Sequence, residues 1–263
     1  MSAQQQRQRQ HWTELKLQGK LACLPAADHS VSHVVFKSVA LDESITIFSL
    51  KARLQVLPTK LNLSIWLPDS HSPHCLHHGA EQITETMSHI LNGCFAYRGL
   101  YICRHDRIVD LISEGVMSTF RPAAPKLYKH STVKPHMFSL CSDSEVFSII
   151  SANTPDAIII NEIHREVLIL EVGCTFDYSL EEAFSTKILK YQQLEQAIIQ
   201  LGYKCKLLVF IFGSLGHVHK LVVRGLQMAG LSKRRAKQLA KYCSVSAIIG
   251  SRSIWRRRCY LYP

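Results

Sequence analysis

The sequence predicts an α/β fold, a mixed sheet flanked by helices, in the C-terminal part of the chain. Three observations lead there. Ala157–Ile160 and Val167–Val172 are continuous, β-branched apolar runs, the pattern of strands buried on both faces. Ser179-Leu180-Glu181-Glu182 reads as a capping box opening a long helix that runs to about Leu201. A third apolar run, Lys206–Phe212, follows, is broken by Gly213 and Gly216, and gives way to helices. The order of hairpin, helix, strand, helix suits a domain of about 110 to 160 residues.

The remaining elements are read in chain order. Residues 1–70 form a helical or mixed lead-in. Trp12, Leu15 and Leu17 start an apolar pattern too short to classify, and Pro58 ends a periodic segment because the residue before proline avoids the helical region. Residues 71–103 carry a Cys/His cluster. Arg104 to Gly115 reads as a helix with Ile108, Leu111 and Ile112 on one face. Residues 116–154, with Pro122, Pro125 and Pro135, look like a linker plus one strand around Met137–Leu140. Residues 104–263 are assigned to the α/β domain.

Composition narrows the function classes. Of 263 residues, 47% are hydrophobic, enough for a buried core. The longest apolar runs, such as Leu207–Phe212, are too short to span a bilayer, and the Gln- and Arg-rich start has no apolar stretch of a signal peptide. No membrane partner is expected. Nine cysteines and fourteen histidines are not spaced as a disulfide scaffold. Cys174 and Cys205, inside apolar runs, read as core. The net charge is +11, and it is concentrated: from Lys187 to Pro263 there are 15 Lys/Arg against one acid, Glu195, so the rest of the chain is net −3. Such a bias points to a polyanion, DNA or RNA. Lys233, Arg234 and Arg235 open a helix behind Ser232 as N-cap. Arg256, Arg257 and Arg258 follow the apolar Ile254 and Trp255. Neither triplet has an acid nearby in sequence, so both are expected to face phosphates.

Two constellations carry chemistry. A hairpin turning at Ile163 and His164 pairs Ile158 with Ile169 and Ile160 with Val167. It therefore sets Asp156 opposite Glu171, with Cβ atoms roughly 5 Å apart. Facing carboxylates repel unless a cation lies between them, and Mg²⁺ commonly takes one or two carboxylates plus phosphate oxygens. The bland alternative is a turn Asp and a strand-end Glu. Lys187, Lys190 and Tyr191 share one face of the following helix, where an ammonium can stabilise charge developing on a phosphate; a solvated lysine face is the alternative. The second constellation, Cys75-x2-His78-x10-His89-x4-Cys94, has the ligand types and paired spacings of a structural Zn²⁺ site. His71, His74 and His77 compete for the first half, and a plain helix over Glu81–Leu91 is the other reading.

Together these residues resemble the C-terminal tail of site-specific non-LTR (LINE-type) retrotransposon polyproteins, which carry a restriction-like endonuclease behind the reverse transcriptase. Leu54-Gln55-Val56-Leu57-Pro58-Thr59-Lys60 with Asn62 and Trp66 looks like the segment linking the polymerase to the zinc knuckle. Glu85-Thr86-x2-His89-Ile90-Leu91-Asn92-x-Cys94 is similar to the second half of that knuckle. Arg104-His105-Asp106 matches the basic-His-acid box that follows. Pro155-Asp156, Glu171 and Lys187-x2-Lys190-Tyr191 match the nuclease signature, and Gly213-Ser214-Leu215-Gly216 and Ser253-Ile254-Trp255-Arg256 its closing motifs. The resemblance implies a restriction-endonuclease-like PD-(D/E)xK fold that nicks target DNA to prime reverse transcription. It implies Mg²⁺ on Asp156 and Glu171, with Lys187, Lys190 and Tyr191 completing the site. Arg104 and His105 join the two basic triplets as DNA contacts. Element RNA is a possible second partner, no small-molecule cofactor is implied, and the expected location is nuclear. The chain departs from the family in three ways. Glu171 stands where the family usually has Asp, position 173 is Gly where the E-x-K lysine would stand, and His78 replaces the second knuckle Cys. No Asp-Asp pair occurs, so no polymerase palm is present. A catalytically inactive nucleic-acid-binding remnant and a zinc-knuckle adaptor are the competing readings.

Overall fold

The three apolar runs at the C-terminal side do form strands, and a fourth, shorter strand joins them. The computed structural model describes residues 2–15, 19–21, 24–36, 42–120, 125–130 and 153–261. The expected strand near Met137–Leu140 lies outside them. The lead-in is helical: α1 (Ala3–Glu14), α2 (His29–Ser32), α3 (Glu43–Arg53) and α4 (Lys60–Trp66). Pro58 separates α3 from α4, and Thr59 caps α4 by accepting from the Asn62 N–H at 3.1 Å. After the Cys/His segment comes α5 (Arg98–Met117), longer at its N-terminus than the periodicity from Arg104 suggests.

The sheet holds β1 (Lys126–Lys129), β2 (Ala157–Asn161), β3 (Glu166–Thr175) and β4 (Lys204–Gly213), in that spatial order. The first three are antiparallel, and β4 runs parallel to β3 behind the crossover helix α6 (Leu180–Gln200). A parallel return requires such a crossover. The chain closes with α7 (Val222–Met228) and α8 (Lys233–Leu261). The sheet is thus mixed and flanked by helices.

The hairpin has the register expected of it: Ile158 pairs with Ile169 and Ile160 with Val167. Alternation then divides the strands between two layers. Ala157, Ile159, Leu168, Leu170, Leu208 and Phe210 pack with apolar residues of α5, α7 and α8, including Ile108, Ile112, Val222 and Ala240. Ile158, Ile160, Val167 and Ile169 pack on Tyr191, Leu194 and Ile198 of α6. A third cluster joins Phe48 and Ala52 of α3, Ile90 and Leu91 of the Cys/His segment, Val209 and Ile211 of β4, and Ile254 and Trp255 of α8. All three sequence segments share this cluster.

Two local expectations are corrected. Ser179 precedes α6 but makes no capping hydrogen bond, because Asp177–Ser179 forms a tight 3-10 turn that leads directly into the helix. The Arg256–Arg258 triplet is divided. Arg256 and Arg257 are exposed, whereas Arg258 is 5% exposed and pairs with Glu85, itself 1% exposed, at 2.7 Å. Glu85 also accepts from the Lys60 N–H at 2.9 Å, so this carboxylate ties α8 to α4 and to the Cys/His segment.

Removing one partner of a buried pair strands the other charge. Arg258→Ala should therefore cost about 3–5 kcal/mol in urea unfolding, while the exposed Arg257→Ala stays within about 0.5 kcal/mol. Equal effects at the two positions would show that the Glu85 pair contributes nothing.

Candidate active site and Cys/His centre

β3 outlasts β2. Its pairing with β2 stops at Leu170, opposite Ala157, and the chain bends at Asp156. The first β3 amide beyond the ladder, Val172 N–H, donates to Asp156 Oδ2 at 2.8 Å, and Asp156 N–H donates back to Glu171 Oε2 at 3.1 Å. The two carboxylates therefore lie side by side at the ragged end of the sheet. Two cations reach them from opposite layers. Lys187 of α6 hydrogen-bonds Glu171 directly. His105 of α5 sets its Nε2 at 3.3 Å from Asp156 Oδ2 and 3.3 Å from the Val172 carbonyl. Its Nδ1 is 3.0 Å from Asp106.

The electrostatics separate the two acids. Burial alone would raise Asp156, but the hydrogen bond and charge of His105, the Val172 N–H and the Lys187 charge hold it below the usual carboxylate range. Glu171 moves the other way: burial and then the Asp156 charge push it up, against Lys187. Burial pulls the His105 imidazolium down, but Asp156, Asp106 and the Val172 carbonyl outweigh it and lift His105 to about 9. A pair of carboxyls driven apart in this way is a common mark of acid/base or metal chemistry.

Lys187, Lys190 and Tyr191 divide their work. Lys187 meets the carboxylates, whereas Lys190 Nζ lies 2.7 Å from the Tyr191 hydroxyl and over its ring. Tyr191 is buried and donates to the Thr154 carbonyl at 2.9 Å, which holds the loop that delivers Asp156. Burial, then the Glu171 charge, raise its phenol, so it stays protonated. Gly173 is required by its neighbour on β4, since a Cβ built there would lie 2.6 Å from Ile211 Cδ1; Lys187 Cε would be in ordinary contact with it at 3.8 Å. Lys187 thus occupies the space beside the position where a strand lysine would project.

In the basic-His-acid segment, Arg104 does not face outward as expected. Arg104 is 3% exposed and spends its guanidinium on Ser251 Oγ (2.8 Å) and the Leu91 carbonyl (2.9 Å), so it is a tie between α5, α8 and the Cys/His segment and not a DNA contact. His105, expected at DNA, belongs to the carboxylate pair. Arg104 is buried because this side of α5 packs on α8 at Gly250 and Ser251. Lys233, Arg234 and Arg235 are exposed at the start of α8, and Ser232 Oγ accepts from the Arg235 N–H at 3.4 Å.

Cys75, His78, His89 and Cys94 come together, each offering a ligand atom within 4.8 Å of the others. Cys75 immediately precedes a 3-10 turn at Leu76–Glu81 and His78 lies within it, and His89 and Cys94 bracket a π turn at His89–Gly93. The sulfurs are 3.9 Å apart. His78 Nε2 and His89 Nε2 are buried without a hydrogen-bond partner. Such orphaned acceptors are costly unless something binds them, so the residues present fit a metal ion. Burial, then the His78 charge, lower His89 and keep its ring neutral. Burial pushes the Cys94 thiol up to about 11, with Cys75 adding to it. His77, a sequence competitor, meets the Tyr97 hydroxyl at 3.4 Å.

One buried polar centre escaped the sequence reading. Asp177 accepts from the Leu215 and His217 N–H groups at 2.8 and 3.0 Å and meets His217 Nδ1 at 2.6 Å. Arg53 of α3 reaches the same turn, donating to the Leu215 and Ser32 carbonyls at 2.9 and 2.7 Å. The signal was Gly213-Ser214-Leu215-Gly216: a Cβ on Gly213 would fall 2.1 Å from Asp177 Oδ1, and Gly216 has φ +85°. No helix among the described residues is long and apolar enough to cross a membrane.

No protein-family model matches the chain, and no curated protein is significantly similar to it.

His105 carries a pH signature. A histidine raised by its partners contributes stability that is complete below the ordinary value of 6.5 and is lost as pH rises through about 9. The urea midpoint should fall across that window, and His105→Gln should flatten the fall. Parallel curves for the two proteins would mean that the His105–Asp156 tie is not its source.

Proposed function

We propose that this chain is a metal-dependent DNA endonuclease of the restriction-like kind carried by non-LTR retrotransposons. The observation that carries the reading is the adjacent pair Asp156 and Glu171 at the free end of β3, with the Lys187 ammonium against it. Asp156 and Glu171 would hold Mg²⁺. When bound there, Mg²⁺ supplies a Lewis acid for the phosphoryl oxygen and lowers the pKa of a bound water. Lys187 sets its ammonium beside Glu171, where it would stabilise negative charge developing on a phosphate under attack. His105 and the Val172 N–H fix the Asp156 carboxylate. Tyr191 anchors the Thr154 loop. The basic third of the chain, with Lys233, Arg234, Arg235, Arg256 and Arg257 exposed, supports a nucleic-acid partner. The Cys75, His78, His89 and Cys94 cluster supports Zn²⁺ as the structural ion, since two thiolates and two imidazoles make a closed tetrahedral set.

One observation favours a second reading, a nucleic-acid-binding module without nuclease activity. The ion pairs of His105 with Asp156 and of Lys187 with Glu171 already balance both carboxylates. Nicking of supercoiled plasmid with Mg²⁺, set against the same reaction with chelator, separates the two.

Asp156→Ala should reduce nicking at least a hundredfold and leave duplex affinity unchanged, because it removes a metal ligand and no basic surface. Nicking by the variant at the parental rate would remove Asp156 from the reaction. Elemental analysis of the purified protein should give about one Zn²⁺ per chain, falling towards zero in a Cys75→Ser, Cys94→Ser double variant. Protein without zinc would leave the cluster as a thiol–imidazole contact only.

A further inference from the structure

The outward face of α8 has a composition that phosphate contact alone does not explain. Residues 233–261 contain no acid at all. Along the exposed side, Arg235, Gln238, Tyr242, Ile249, Arg256 and Tyr260 follow helical spacing of three, four or seven residues. The two tyrosines are 55% and 71% exposed, so both rings are open to a partner. Each is joined by its hydroxyl to a polar residue one turn back: Gln238 Nε2 to Tyr242 at 2.9 Å, and Arg256 to Tyr260 at 3.3 Å.

Beside Tyr242 the surface is concave. A pocket of about 200 Å³ is lined by Gly115, Leu231, Arg235, Gln238, Leu239 and Tyr242. It is smaller than the roughly 300 Å³ at which pockets for drug-sized ligands begin, a size suited to a single flat ring. Its walls combine a tyrosine, two leucines, an amide with both donor and acceptor, and a guanidinium. Arg235 is steadied by its 2.9 Å bond to Ser118 Oγ. Gly115 keeps the floor low, because a Cβ there would lie 2.4 Å from Leu239 Cδ2. The same helix, α5, carries His105 ten residues earlier. The pocket is thus about 15 Å along α5 from the carboxylates, a few nucleotides of strand at about 3.4 Å or more each.

We propose that this pocket takes one unstacked base of single-stranded nucleic acid, stacked on Tyr242 with Gln238 at its edge, while Arg234 and Arg235 meet the adjoining phosphates. Single-strand sites pair a cationic track with exposed aromatic rings because every base has a π-face, whereas the bases of an intact duplex are already stacked. The inference rests on the nucleic-acid partner of the reading above and not on cleavage.

The test measures affinity for an oligothymidylate of about 15 nucleotides, near the upper end of single-strand site sizes, and for a duplex of equal length. Both use the Asp156→Ala chain without added Mg²⁺. Tyr242→Ala should weaken single-strand binding roughly 5- to 150-fold, the loss of one stacked base, and leave the duplex within twofold. Tyr242→Phe should bind the single strand as the parent does. Replacing Arg234 and Arg235 by Gln should weaken both ligands and flatten the salt dependence. Equal single-strand affinity of Tyr242→Ala and the parent, or equal losses on single strand and duplex, would overturn the proposal, as would failure of the parent to bind single strand at all. Single-strand binding that depends on Tyr242 in a chain that never nicks plasmid would sink the nuclease reading and leave this one standing.

Discussion

The register of the β2–β3 hairpin is the constraint on which the rest depends. Side chains alternate across a strand, so a slip of one residue would turn Ile158, Ile160, Val167 and Ile169 away from α6. Every one of these is buried, and the apolar face fixes the pairing against the slip. The same register decides where β2 ends relative to β3. Because Ala157 is the last paired residue, Asp156 falls just beyond the ladder and its carboxylate takes the amide that the ladder leaves free. Glu171, buried beside it, accepts from the Asp156 N–H and meets the Lys187 ammonium, which offsets the cost of burying its charge.

Around this hairpin the molecule is tied together by polar groups placed inside. Asp177 and His217 close the turn after β4, and Arg53 brings α3 to it. Asn92, in the π turn between two cluster residues, donates to the Cys174 carbonyl at 3.0 Å and contacts Ser214, so the Cys/His centre is joined to the end of β3. A bound ion there would stiffen a turn that is continuous with the strand carrying Glu171. Buried groups of this kind bring little net stability over an apolar core, but leaving one unpaired is expensive. They therefore favour a single arrangement of the segments.

Charge alone does not say which arginines are available. Arg234 and Arg258 are each part of a basic triplet in one helix. Arg258 sits over Trp255 and turns inward to Glu85, whereas Arg234 points into solvent at the first turn. Packing and helical phase together make the difference: Lys233–Arg235 form a first turn that is exposed throughout, whereas near Trp255 the helix is packed on one side, and residues about 100° apart cannot then all face out. The sequence contained the acid that claims Arg258, but it stands far from it in the chain.

The amino-acid sequence by itself determined three of the four strands, the long crossover helix and the hairpin register, but not β1, which lies in the stretch read as a linker. Apolar periodicity and turn chemistry are local, and each was readable within a dozen residues. It also brought out Asp156 with Glu171 and the set Cys75, His78, His89 and Cys94, because ligand types at short spacing are local too. Whether those residues perform the chemistry proposed for them is a question that spacing does not answer. The tertiary structure alone decided what contacts between distant segments decide. It placed His105 on Asp156 from α5, chose His78 over its neighbours, buried Arg104 and Arg258, and built the Asp177 centre from α3 and two turns. None of these has a sequence period, because each depends on how one helix face happens to meet a sheet end, and that is set by packing the whole core at once.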